Sequence, residues 1–259
     1  MAINKAKVLT ITSVRGGTGK TTTALNLAGL LSLKKEKTLL IDLDLYESAI
    51  GPLLNIQNEE NIYTLASDML NGYTKPIMSY ITKYNSYIDC LLAPNDPRRA
   101  ASVYSKSITD IIEKYRPNYD YIIIDTNYFM NDINLNVLDA SDMILYVIDN
   151  DLVSLKAMRS IGNIYNDIEK TNYKILINKS INKYKEKFDN FDLNNIIGNK
   201  INYILPSNFY QKNMGEYIKK GQILLLDNNI RKNNNKTLET FKNIINDLDK
   251  EVLKIEKIN

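Results

Sequence analysis

KVLTITSVRGGTGKTT, residues 7–22, is the stretch on which the fold class turns. Its first part, KVLTITS (7–13), is apolar, β-branched and of strand length. The run after it, TALNLAGLLSLKK (23–35), carries apolar residues at helical spacing. Between the two lies a glycine-rich turn ending in Gly19-Lys20-Thr21-Thr22. A strand, a glycine loop, a Lys-Thr pair and a helix in this order form a cradle for the phosphates of a nucleotide. Glycines let consecutive backbone N–H groups turn inward without a Cβ clash, and the helix start adds partial positive charge. Gly16, Gly17, Thr18 and Gly19 are expected to form the cradle, with Thr22 completing it. Lys20 is expected to reach the β and γ phosphates, and the Thr21 hydroxyl to ligate Mg²⁺. The strict GxxxxGK[ST] spacing is not met, because Val14 stands where its first glycine belongs.

Outward from this stretch, short apolar runs recur at 38–44, 87–93, 119–125, 143–149, 173–178 and 200–205. Most are nearly continuous in apolar character, as strands covered on both faces are. Helical patterns stand at 20–34, 61–71, 102–115, 153–169, 208–220 and 237–256, and the polar stretch 227–236 is the best loop candidate. Alternation of this kind implies βαβ units. The expectation is one α/β domain over residues 1–259, a P-loop NTPase domain. Its mostly parallel, twisted sheet should have about seven strands, with helices on both faces.

Composition removes whole classes of chemistry. There is no histidine, so there is no histidine base, metal ligand or pH switch. The single cysteine, Cys90, cannot form an internal disulfide or a cysteine-rich zinc site. Its place in the run IDCLLA marks it as a small buried hydrophobe. With 33 basic and 30 acidic residues the net charge is +3, which argues neither for nucleic acid nor for an anionic membrane. No segment reaches the ~18 apolar residues of a membrane-spanning helix. A cytoplasmic protein is expected, one that can be recruited to the inner face of the membrane or to a cell pole.

Two further strands end in carboxylates. TLLIDLD (38–44) closes on Asp42 and Asp44, which alternation points to the same side. Such strand ends beside a phosphate loop lie where Mg²⁺ and water are held, and Asp42 is expected to help fix the metal shell. YDYIIID (119–125) closes on Asp125, an arrangement of the Walker B type, with Mg²⁺ expected to be bound through a water.

GGTGKTT preceded by a basic residue resembles the ParA/MinD family of deviant Walker A ATPases, and the resemblance runs from residue 7 to about residue 225. It implies ATP and Mg²⁺ as ligands, slow hydrolysis to ADP and phosphate, and a homodimer that sandwiches two nucleotides. Arg15 stands where the family carries a signature lysine that reaches the partner's nucleotide, so the resemblance implies a catalytic role in trans for Arg15. It gives Asp44 the orienting of the attacking water, and it matches Asn178 to the family's adenine-recognising asparagine. Ile181, where guanine-specific NTPases carry an aspartate, favours ATP. Pro206, in YILPSNFY, is expected to shape the wall near the base. After Asp125 many relatives continue Thr-Pro-Pro, whereas this chain reads Thr126-Asn127-Tyr128-Phe129.

Residues 41–54, 91–100 and 139–161 resemble the CpaE/TadZ branch, which places Tad (Flp) pilus assembly machinery. A partner from a pilus, secretion or partition system is implied. A partition ATPase would bind nonspecific DNA through patches such as Lys179, Lys183, Lys185 and Lys187, or Lys219, Lys220, Arg231 and Lys232. A membrane-cycling ATPase would need a basic amphipathic C-terminal helix. The helix at 238–258 has instead a stripe of Leu238, Phe241, Ile245, Leu248, Val252 and Ile255 with a slightly acidic polar face, as a core-packing helix has. An ATP-dependent dimeric scaffold with little hydrolysis is the remaining reading.

Overall fold

Every residue of the strands Thr38–Leu43 and Tyr121–Thr126 is buried, which explains why their sequences show no polar alternation. They lie at the centre of an eight-stranded sheet in a computed structural model that describes residues 5–73, 75–180, 188–209 and 214–258, the last five by backbone alone. The strands are β1 (Lys7–Thr12), β2 (Thr38–Leu43), β3 (Thr82–Lys83), β4 (Ile88–Leu91), β5 (Tyr121–Thr126), β6 (Met143–Asp149), β7 (Tyr173–Asn178) and β8 (Tyr203–Leu205). Their order is β3-β4-β2-β5-β1-β6-β7-β8, parallel throughout except for β3 against β4. The eighth strand corrects the expected seven. β3 is two residues long and pairs antiparallel at the edge, too short to leave a periodic signal.

The helices are α1 (Lys20–Leu33), α2 (Ile50–Leu54), α3 (Ile62–Leu70), α4 (Ser105–Tyr115), α5 (Asp132–Ala140), α6 (Leu152–Asp167), α7 (Asn190–Ile197), α8 (Met214–Lys219), α9 (Asn228–Asn233) and α10 (Asn235–Ile258). The sequence pattern misses α2, α5, α7 and α9. Each is nine residues or fewer, so a helical stripe has little more than two turns in which to repeat. The segment 227–236, expected as a loop, holds α9, which starts on an Asp227 cap that accepts from Asn229 and Ile230 N–H.

Alternate positions along each strand feed opposite faces. Leu9, Ile11, Leu145 and Val147 pack with α1 and α10 on one side. Val8, Leu39 and Ile41 pack with α3 and α4 on the other, while Ile144, Tyr146 and Ile148 meet α6 and α7. Cys90 is fully buried.

α10 is fastened rather than merely laid on the sheet. Phe241, Ile244, Ile245 and Leu248 are buried beneath it. Its acidic side chains are engaged as well. Lys7 Nζ and Tyr121 Oη each donate to Asp249 at 2.8 Å, Tyr203 Oη donates to Asp247 at 2.6 Å, and Lys174 Nζ reaches Glu251 at 3.2 Å. Asp247, Asp249 and Glu251 are therefore part of the attachment of this helix to the sheet. Among the described residues no helix is long and apolar enough to cross a membrane.

Candidate functional site

The turn after β1 brings the loop residues to the C-terminal edge of the sheet, where parallel strands release their loops. Gly17 and Gly19 adopt φ of 73° and 89°, a left-handed conformation that a Cβ would strain. Gly19 caps α1 with no side chain of its own, so the first-turn N–H groups stay open for an anion. Gly16, Gly17, Gly19, Lys20, Thr21, Thr22 and Asp44 line one cavity of about 400 Å³, together with Tyr46, Glu47, Asn127, Tyr128 and Phe129.

Lys20 is only 7% exposed, and among the described residues its ammonium has no hydrogen-bond or ion-pair partner. A buried cation is costly unless an anion completes it. Thr18 is buried, and its hydroxyl has no partner either.

Asp42 and Asp125 are opposite one another on the neighbouring strands β2 and β5. Both are fully buried. Burial pushes Asp125 up to about 8, with the nearby Asp42 adding to the rise, and the Thr21 hydroxyl and Lys20 pulling against it. Burial likewise lifts Asp42 to about 6, opposed by hydrogen bonds from Ser48 and Ile50. Thr21 Oγ1 donates to Asp125 Oδ2 at 2.5 Å, while Asp125 Oδ1 is buried without a partner. An orphaned carboxylate oxygen beside a threonine hydroxyl, below an unpaired lysine, is a donor set that fits Mg²⁺ held with a phosphate. Among the described residues no three acidic side chains are grouped closely enough to cage a metal.

Asp42 is more occupied than the sequence suggests. Its oxygens accept from Asp44 N at 3.1 Å, Ser48 Oγ at 2.9 Å and Ile50 N at 3.2 Å. It thus shapes the loop that carries Asp44, and any part in a metal shell comes on top of that work. Asp44 is half-buried at the cavity wall, and burial raises its carboxyl while Lys20 opposes the rise.

Besides Thr18, Asp42 and Asp125, three more expected residues, Arg15, Asn178 and Pro206, are not among those that line the cavity. Arg15 turns toward the start of α6, with Nη1 3.8 Å from Asp149 and 3.5 Å from Asp151. Asn178 lies beneath the loop. Its Nδ2 donates to the Thr18 carbonyl at 3.0 Å, and its Oδ1 accepts from Ser180 N and Oγ. The amide thereby commits its oxygen and one N–H to the chain, leaving one N–H for a base edge. Pro206 follows β8, the strand beside Asn178, and its carbonyl accepts from Phe209 N. Of the basic patches, Lys183, Lys185 and Lys187 lie outside the described residues. Arg231 is engaged with the Leu225 carbonyl at 2.6 Å.

The residues missed in the sequence are those on the loops after β2 and β5. Tyr128 stands over the glycine loop, its ring 3.5 Å from where a Cβ of Gly16 would be, and it packs against Phe129 at 4.4 Å between ring centroids. The departure from Thr-Pro-Pro after Asp125 was the available signal.

Residues 6–183 match the AAA domain family profile. The chain is 29% identical over 159 residues to the chromosome partitioning protein ParA of Myxococcus xanthus, covering 59% of this chain and 55% of that one. It is 29% identical over 161 residues to the septum site-determining protein MinD of Thermotoga maritima, covering 61% of this chain and 58% of that one. The match thus spans little more than half the length of either relative. The crystal structure of a ParA family ATPase from Chlorobium tepidum superposes with a TM-score of 0.75 at 19% identity, over 95% of this chain and 98% of that one.

Proposed function

The chain belongs to the AAA domain family, among the ParA/MinD-like P-loop ATPases, and on that premise we propose that it binds ATP with Mg²⁺ on residues 16–22 and hydrolyses it slowly to ADP and phosphate. The observation that carries this reading is Lys20, a buried and unpaired cation on the wall of a cavity rimmed by glycines. Bound Mg²⁺ would neutralise charge on the phosphates. Thr21 and Asp125 would hold it, with Asp42 behind the loop. Lys20 binds the β and γ phosphates, and the open N–H groups of the loop and helix start orient them. Asp44 orients the attacking water, as its half-buried place at the cavity wall allows. Calorimetry with ATP and Mg²⁺, followed by phosphate release under single-turnover conditions, tests the reading. A wild-type protein that binds no adenine nucleotide overturns it.

ATP-bound copies are proposed to pair as a homodimer, with Arg15 reaching the nucleotide of the facing copy. In this reading the dimer positions a cellular assembly. The likeness of residues 41–54, 91–100 and 139–161 to pilus-positioning ATPases favours Tad (Flp) pilus machinery as the cargo. In the second of these stretches Arg98 is bound by Asp96 at 2.6 Å and Arg99 lies over the Tyr63 ring, so both arginines have structural work independent of a partner. Partition of DNA is the rival. A titration with nonspecific duplex in the presence of ATP separates the two, because DNA affinity that falls steeply with salt would belong to the partition reading.

A further inference from the structure

A second cavity, of about 260 Å³, lies behind the segment that carries Asp44, and none of the residues lining it is charged. Ile56 and Leu92 give it an apolar wall. Asn55, Gln57 and Asn95 add amides that have no hydrogen-bond partner among the described residues. Helix α2 and the turn before it separate this cavity from the phosphate cavity. Glu47, Ala49 and Leu53 line the phosphate side, whereas Ser48 and Gly51 line the other. A Cβ on Gly51 would stand 3.1 Å from the Ile56 carbonyl oxygen, so the partition is packed closely against the chain that follows it.

Ser48 belongs to both sides of this partition. It lines the second cavity, and its Oγ donates to Asp42 Oδ2 at 2.9 Å. Asp42 also accepts from Asp44 N at 3.1 Å and from Ile50 N at 3.2 Å. One buried carboxylate thus ties the loop at Asp44 to the start of α2, and Ser48 supplies the side-chain donor of that knot. A serine hydroxyl has one hydrogen, here spent on Asp42, and two lone pairs. Among the described residues no donor reaches those lone pairs. An N–H arriving from the cavity would strengthen the bond to Asp42, because hydrogen bonds in series polarise one another.

We propose that the second cavity is a control site for ATP hydrolysis, taking a small uncharged ligand with an amide or hydroxyl donor, and that Ser48 is the positioning residue through which it acts on Asp44. The inference rests on the ATPase reading above. The cavity falls just below the roughly 300–1,000 Å³ of drug-sized sites, which sets the ligand as small. A charged ligand would find no counter-charge on the lining.

Single-turnover phosphate release and calorimetry with MgATP, both on the full chain, test the proposal. Ser48→Ala should slow hydrolysis about three- to tenfold, as loss of one hydrogen bond does, and leave ATP affinity within about threefold of wild type. Ser48→Thr keeps the hydroxyl and should restore the rate. Should Ser48→Ala fail to fold, Ser48→Gly takes its place. The occupied state is made by alkylating Gln57→Cys with iodoacetamide, which leaves a neutral carboxamide on the cavity wall. Cys90 is fully buried and burial pushes its thiol up, so it stays unreactive. The carboxamide adduct should hydrolyse ATP about two- to fivefold faster than unlabelled Gln57→Cys at equal affinity. Adding Ser48→Ala should remove that gain, and an adduct of methyl methanethiosulfonate, which brings no donor, should show none. A Ser48→Ala protein that keeps the wild-type rate, or loses affinity in step with rate, overturns the positioning role. A carboxamide adduct without a gain, or with one that survives Ser48→Ala, overturns the control site while the ATPase reading stands. If wild type neither binds nor hydrolyses ATP, that reading has failed and this inference falls with it.

Discussion

Arg15 Nη1 lies 3.5 Å from Oδ1 of Asp151, an oxygen that also caps α6 by accepting from Val153 N at 3.0 Å. The residue proposed to act on a facing subunit is thus held within its own chain, by an exposed pair of the kind worth at most about 1 kcal/mol. Such a contact is weak enough to be exchanged for phosphate, and it competes with that exchange.

Asp151→Asn keeps the cap oxygen and removes the charge. It should tighten ATP-dependent dimerisation by about two- to fivefold, the range an exposed ion pair allows. Arg15→Ala should bind ATP near normally and stay monomeric. Sedimentation velocity with ATP and Mg²⁺ reads both, and an Arg15→Ala protein that dimerises as wild type does would remove the trans role.

Lys20→Ala should abolish measurable MgATP binding, with at least about a hundredfold loss in calorimetry, because the cavity loses its only buried ammonium among the described residues. Unchanged ATP affinity would remove the phosphate site from this loop.

Asp125 gives the nucleotide-free protein a pH dependence of definite sign. Its folded value of about 8 lies above its ordinary 3.8, so the folded state holds a proton that the unfolded state releases. The part of the stability that belongs to Asp125 is therefore fully present below pH 3.8 and is lost as pH rises through about 8. Asp125→Asn should remove most of that slope. Its melting temperature should exceed that of wild type at pH 8 by roughly 2–4 °C for each kcal/mol relieved, and the two should converge near pH 4. Thermal melts across pH check this, and an unaltered slope would place the titration elsewhere.

Asn178→Ala distinguishes holding the loop from reading the base. Loss of the bond to the Thr18 carbonyl should weaken ATP, GTP and inorganic triphosphate alike, by about three- to tenfold. A loss confined to ATP would instead give Asn178 the base-reading role.

Asp249→Ala should lower stability by about 1.5–3 kcal/mol, since Tyr121 and Lys7 both lose their acceptor. Nucleotide affinity should hardly change, because α10 lies away from the phosphate cavity. Chemical denaturation paired with calorimetry separates the two effects, and a fall in affinity would mean that α10 reports to the site.

Local pattern was enough to read a parallel α/β sheet, the phosphate loop and the carboxylates at its edge. Strand burial on both faces and the glycine-lysine turn leave their marks within a dozen neighbouring residues. Lys20, Thr21, Asp44 and Asp125 could be named for the same reason, since each stands at a strand end or a helix start. The edge strand β3 and the short helices were not legible, because two residues, or two helical turns, do not complete a period. Only the fold shows that Asn178 also holds the carbonyl of Thr18, 160 residues away in the chain. Arg15 looked free until β6 and α6 set two carboxylates beside it. Partners distant in the chain decide how the ends of a polar side chain are used, and only the folded arrangement brings those partners together.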